Sequence, residues 1–144
     1  MSSWVEGKVL KRRQWTDMLH SIQIEADIAP FTAGQFTRLA LEIDGEIVAR
    51  PYSFVNGPDN PVHEFYYIIV PDGPLTHRLV NLNAGDTVLI APRGAGFFVL
   101  DEVPDADYLW MLSTGTAIGP FLSILSTDEV WQRFKKIVLV HAVR

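Results

Sequence analysis

The sequence contains no cysteine. Disulfides and thiolate-bound clusters are excluded, so a metal site would have to use histidine or carboxylate. His20, His63, His77 and His141 show no pairwise ligand spacing. They read as structural or exposed, and no metal is expected. Excess positive charge is also lacking: 12 Lys+Arg face 17 Asp+Glu, a net charge of −5. That argues against bulk nucleic-acid binding, which needs a basic footprint. No basic segment followed by an apolar stretch opens the chain at Met1-Ser2-Ser3-Trp4-Val5-Glu6, so no signal peptide is read. The most apolar stretch, residues 108–125, is interrupted by Ser113, Thr114, Gly115, Thr116, Gly119 and Pro120, so no membrane span is read. A cytoplasmic protein is the expectation. Internal repeats and low-complexity tracts are missing as well.

What is present suffices for a core: 48% of the 144 residues are hydrophobic and 20% charged. The first hundred residues read as β-rich. Alternation marks strands over residues 4–13 and 18–26, around a turn near Thr16-Asp17. A strand over 35–43 meets one over 46–55 through Asp44-Gly45, a two-residue hairpin signal. The stretch from Asn56 to Pro61 is a loop, and residues 64–70 form another strand. A turn at Pro71–Pro74 leads into a short helix with Leu75, Leu79 and Leu82 on one face, followed by a strand at 87–91. Short antiparallel strands with one small helix suggest a closed barrel.

After an acidic linker the pattern changes. Tyr108–Leu112 is a continuous apolar run, as in a parallel strand buried on both faces. A helix over about Pro120–Leu125, a second one capped by Asp128 and running to Phe134, and a strand at Ile137–Val140 complete a β-α-β unit. Two strands are too few for a sheet with its own core, and the strand at 137–142 would be an exposed apolar edge. The expectation is a natural chain that continues past Arg144, by roughly 100 residues for a domain of ordinary size.

Three short strings carry chemistry. Arg50-Pro51-Tyr52-Ser53 places a cation, a flat ring and a hydroxyl on one strand, with Arg50 and Tyr52 sharing a face by period two. A flavin dinucleotide needs these three: a cation for its pyrophosphate, a ring against the isoalloxazine and a hydrogen bond at N5. Taken alone, the tetrapeptide equally suits a surface arginine beside a packed tyrosine. Gly73-Pro74-Leu75-Thr76 opens the short helix, where free N–H groups and the Thr76 hydroxyl could meet an anion, or simply cap a helix. The string from Gly115 to Pro120 lies between a buried strand and a helix, where glycines let a phosphate approach the backbone. It lacks the Gly-x-Gly-x-x-Gly fingerprint, and a plain tight turn is the alternative. Trp4, Trp15, Trp110 and Trp131 read as packing residues. Lys8, Lys11, Arg12 and Arg13 form either a solvated strand face or a landing patch for an acidic protein.

Together with Pro30–Phe36, Pro58–Pro61, Val70–Gly73, Gly96–Asp101 and Leu139–Ala142, these strings closely resemble the bacterial ferredoxin (flavodoxin)–NADP⁺ reductases of the plant-type reductase superfamily. The resemblance spans nearly the whole chain. It implies an antiparallel Greek-key FAD-binding β-barrel over 1–101, a linker over 102–107, and the first part of a doubly wound NADP(H)-binding α/β domain over 108–144. It implies an oxidoreductase that moves electrons between NADP(H) and ferredoxin or flavodoxin, by hydride transfer at flavin N5 and then single-electron steps. It places Arg50 on the FAD phosphates, Tyr52 on the isoalloxazine and Ser53 near N5. Pro51, Tyr66, Ile68 and Ile69 would lie beside the flavin, and Pro74, Leu75 and Thr76 at the pyrophosphate. Thr116 would meet the nicotinamide, and Val143 and Arg144 would begin to read NADP. The catalytic pair would be Ser53 and Thr116. A full-length monomer is implied, with little or no NADPH turnover by this shorter chain. Two other readings stay open: a non-catalytic flavin-binding electron-transfer or regulatory module, and a barrel for a different small molecule.

Overall fold

Ten residues after Trp4, alternating as far as Leu10, begin a six-stranded antiparallel sheet in the computed structural model, which describes residues 3–144. Met1 and Ser2, where the leader reading begins, lie outside the described residues. The strands are β1 (Val5–Gln14), β2 (Leu19–Glu25), β3 (Phe36–Ile43), β4 (Glu46–Ser53), β5 (Val62–Ile68) and β6 (Thr87–Ile90). Their order is β4-β3-β6-β1-β2-β5, and a bridge between Phe54 and Phe65 joins the two outer strands into a barrel. Period two fills the interior. Val9, Ile22, Ile24, Leu39, Phe65, Val88 and Ile90 point inward and are buried. Asp44 (φ 53°) and Gly45 (φ 82°) form the β3–β4 turn with two left-handed residues, as a hairpin matching strand twist requires. Helix α1 (Pro74–Leu79) plugs the barrel with Leu75 and Leu79, 1% and 0% exposed.

The second unit is a two-stranded parallel sheet, β7 (Tyr108–Thr114) and β8 (Lys136–Ala142), joined through α2 (Ile118–Leu125) and α3 (Asp128–Arg133). Its core combines Met111, Ile124, Val130 and Phe134 with Ala33 and Leu100 from the barrel stretch. The seam is therefore packed, not merely tethered. Arg133 strengthens it by donating to the Leu100 and Val103 carbonyls.

Three expectations need correction. β7 is not buried on both faces: Met111 and Ser113 are buried, whereas Tyr108, Trp110 and Leu112 are exposed, because helices cover one face of a two-stranded sheet. Thr127, not Asp128, occupies the cap position of α3, and its hydroxyl donates to the Ile124 carbonyl instead of capping. Three of the four tryptophans read as packing residues are exposed, and Trp4 is half-buried. Trp15, Trp110 and Trp131 are 44%, 63% and 60% exposed, and Arg13 lies over the Trp15 ring at 3.7 Å.

Candidate functional site

β4 and β5 leave the barrel side by side, and the turn after β7 arrives opposite them. At this seam is a cavity of about 290 Å³, lined on the barrel side by Pro51, Tyr52, Ser53, Tyr66, Ile68 and Thr76. Thr116, Ala117 and Gly119 line it from the second unit. Residues from four separated segments therefore meet, and Ser53 and Thr116 face one space from the two units. Arg50, Ile69, Pro74, Leu75, Val143 and Arg144 do not line it. Arg50 is exposed beside Pro51 and donates to its neighbour, the Ala49 carbonyl, at 2.8 Å. Leu75 has its side chain in the barrel core, so only its backbone faces outward chemistry. Val143 is 73% exposed at the end of the chain.

The Thr76 hydroxyl is not free, as the sequence suggested: it accepts from the Val70 N–H at 3.0 Å and holds the turn before α1 closed. Val55, Tyr67, Val70, Ala117 and Gly119 also line the cavity without having been singled out as site residues. Ala117 and Gly119 lay within one quoted string and Val70 opened another, but Val55, just beyond β4, and Tyr67, within β5, carry no local signal of their own. A Cβ on Gly119 would stand 3.3 Å from Val55 Cγ2 and 3.7 Å from Tyr66 Cδ2. The larger cavity, about 550 Å³, lies across Val55 and Tyr66, between the Asn56–Asn60 loop and α2. It gathers only Tyr66 among the predicted site residues, so the smaller cavity is the better candidate.

The walls are aromatic and partly dry. Burial pushes the Tyr52 phenol up, with Arg50 opposing, and pushes Tyr66 up, with Glu64 adding to it. Tyr67 is pushed up to about 12, chiefly by burial; Arg12 pulls it down and Tyr52 raises it further. Its hydroxyl is buried and has no hydrogen-bond partner among the described residues. A half-buried tyrosine ring, a serine beside it and a narrow slot without acid or base fit a flat, uncharged aromatic ring better than a hydrolysable ester. Among the described residues no group of three or more His, Asp or Glu could hold a metal.

Barrel, joined βα unit and the seam between them share their fold with a solved ferredoxin–NADP⁺ reductase. Along all 144 residues the chain is a relative of the flavodoxin/ferredoxin–NADP reductases. It is 60% identical to the enzyme of that name from Escherichia coli strain K12, over 100% of this chain and 58% of the relative. It is 39% identical to the ferredoxin–NADP reductase of Pseudomonas aeruginosa, over 100% of this chain and 56% of the relative. Among solved structures, a ferredoxin–NADP⁺ reductase from Neisseria gonorrhoeae with bound FAD and NADP superposes with a TM-score of 0.90 at 33% identity. That match covers 98% of this chain and 58% of the other. The chain thus spans less than two thirds of the relatives it matches. No protein-family model matches it.

Proposed function

We propose that this chain carries the flavin site of a flavodoxin/ferredoxin–NADP reductase, divided into a barrel over 1–101, a linker over 102–107 and the start of a nucleotide-binding unit over 108–144. The observation that carries the reading is the single cavity shared by Pro51, Tyr52, Ser53, Tyr66, Ile68 and Thr116. FAD is the cofactor, and NADP(H) and a ferredoxin or flavodoxin are the partners of the whole protein. A bound flavin supplies hydride acceptance from a nicotinamide and onward delivery as single electrons.

The residues bind and orient. Tyr52 offers its ring as a stacking wall. Ser53 offers a hydroxyl to the N5 edge. Arg50 offers its planar fork to the pyrophosphate, aided by the backbone N–H groups of Pro74-Leu75-Thr76 that are not proline's. Tyr66, Ile68 and Ile69 run along the ring. Thr116 shapes the nicotinamide side, and Val143 and Arg144 begin the nucleotide subsite. No general base is assigned. The basic cluster at the start of the chain suits an acidic partner, but only in part: Lys11 and Arg13 are exposed, whereas Arg12 faces the barrel interior and donates to the Leu82 carbonyl.

The test is a visible spectrum of the chain with FAD, before and after anaerobic NADPH. Bound flavin that bleaches only with dithionite supports a flavin site whose nicotinamide side is incomplete in this chain. Bleaching with NADPH shows both sites present. No uptake, either by this chain or by a version extended to the length of its relatives, overturns the reading.

A further inference from the structure

Behind Tyr52 the barrel interior carries a row of side chains that the flavin reading does not use. Tyr67 meets Tyr52 edge to face, with ring centroids 6.4 Å apart and planes at 74°. His20 stands directly across the β2–β5 ladder from Tyr67 and lies nearly parallel to it, at 5.6 Å and 16°. Arg12 Nη1 is 3.4 Å from His20 Nδ1, and Arg12 Nε donates to the Leu82 carbonyl at 3.2 Å. The row therefore runs from a fixed backbone carbonyl, through Arg12, His20 and Tyr67, to the Tyr52 wall of the cavity.

A guanidinium can only donate, so His20 Nδ1 must present its lone pair and the ring proton sits on Nε2. His20 and Tyr67 are 3% and 2% exposed, and among the described residues neither His20 Nε2 nor the Tyr67 hydroxyl has a hydrogen-bond partner. Phenylalanine or leucine would fill these positions without that desolvation cost. Buried polar groups kept at such a cost call for a role beyond filling space.

We propose that Arg12, His20 and Tyr67 are positioning residues for Tyr52, a row anchored on the Leu82 carbonyl that fixes the plane of the Tyr52 ring. The consequence for a stacked flavin rests on the function proposed above; the ordering of Tyr52 does not. The row holds only while His20 is neutral. The groups facing it are Arg12 from β1, Tyr67 from β5 and, beyond Tyr67, Tyr52 and Arg50 from β4. None is a carboxylate, so nothing in the row favours a second positive charge. Burial, and then Arg12, hold the His20 pKa below its ordinary value. Protonation in acid removes the acceptor for Arg12 and releases the row.

The experiment follows the Tyr52 ring by NMR in the ligand-free chain from pH 8 to 5, with its signals assigned through Tyr52→Phe. In the unaltered chain the signals are expected to shift in one step below pH 6.5. His20→Gln keeps a neutral acceptor for Arg12, so the Tyr52 signals should stay in place and the pH step should vanish. His20→Phe keeps a stacked ring but no acceptor, so the signals should move and ring flipping should quicken. Arg12→Met should do the same. Flavin fluorescence then reads the consequence: FAD affinity is expected to fall threefold to tenfold in His20→Phe and to be kept in His20→Gln. Tyr52 signals indifferent to His20→Phe and Arg12→Met overturn the proposal, whether or not FAD binds. If the Tyr52 signals respond as stated but the unaltered chain takes up no FAD, the positioning row stands and the flavin reading falls. Should His20→Phe not fold, Arg12→Met and His20→Gln decide between the same outcomes.

Discussion

Replacing Ser123 by alanine tests how the barrel holds the second unit. Ser123 is 0% exposed, and its Oγ donates to the Asn56 carbonyl at 2.7 Å, linking α2 to the loop between β4 and β5. Asn56 is itself 8% exposed and holds that loop, its Oδ1 accepting from the Glu64 N–H at 2.9 Å. Removing the hydroxyl leaves the carbonyl of a buried residue without this donor, at a cost of about 2 kcal/mol. Alanine returns about 0.5 kcal/mol by its better helix propensity. The net loss is about 1.5 kcal/mol, or roughly a tenfold rise in the opening equilibrium of α2 against the barrel. Amide hydrogen exchange reads this directly: the α2 amides should exchange about tenfold faster in Ser123→Ala. Ser126→Ala is the control, because its hydroxyl donates within the helix, to the Leu122 carbonyl, from an exposed position. It should change stability by less than about 0.5 kcal/mol. Unchanged α2 protection in Ser123→Ala, or the same change in Ser126→Ala, refutes the reasoning. The functional consequence is placement, since α2 carries the turn that sets Thr116 opposite Ser53.

Three further outcomes are expected. Gly119→Leu should push into Val55 and Tyr66 and lower FAD uptake by tenfold or more, measured by flavin fluorescence; unchanged uptake would place the flavin elsewhere. In a spectrophotometric titration of the folded chain, one tyrosine should ionise only near pH 12 and this late step should disappear in Tyr67→Phe; all tyrosines titrating together near pH 10 would contradict the buried phenol. His20 and His63 are both held below the ordinary histidine range, chiefly by burial, with a backbone contact to Ala26 opposing at His63. Below about pH 6.5 the unfolded chain therefore binds protons that the folded chain refuses, and stability falls with pH until the folded-state values are reached. Urea midpoints should decline from pH 7 to 5, and a flat profile would show that these histidines titrate normally.

Much of the fold was legible from local chemistry. Asp44-Gly45 announced its hairpin because few residue pairs accept two left-handed conformations. Alternation such as Ser21-Ile22-Gln23-Ile24 located the strands, since the side-chain period of a strand is two whatever it pairs with. Burial was harder to read. An apolar run like Tyr108–Leu112 states what a strand could bury, not how many neighbours cover it, and here one face is open. The same limit misjudged the exposed tryptophans and placed Arg12 on the outer face with Arg13.

By itself the sequence determined the element order, the turn positions and the residue types able to meet a flavin, because these depend on period, turn geometry and side-chain chemistry along the chain. Only the tertiary structure decided that Ser53 and Thr116 share one cavity while Leu75 turns into the core, that the Thr76 hydroxyl is already engaged, and that Arg12, His20 and Tyr67 line up behind Tyr52. These are relations between segments as much as 70 residues apart in the chain, as Arg12 and Leu82 are. Strand pairing and seam packing create them, and no local pattern records which partner a side chain will meet.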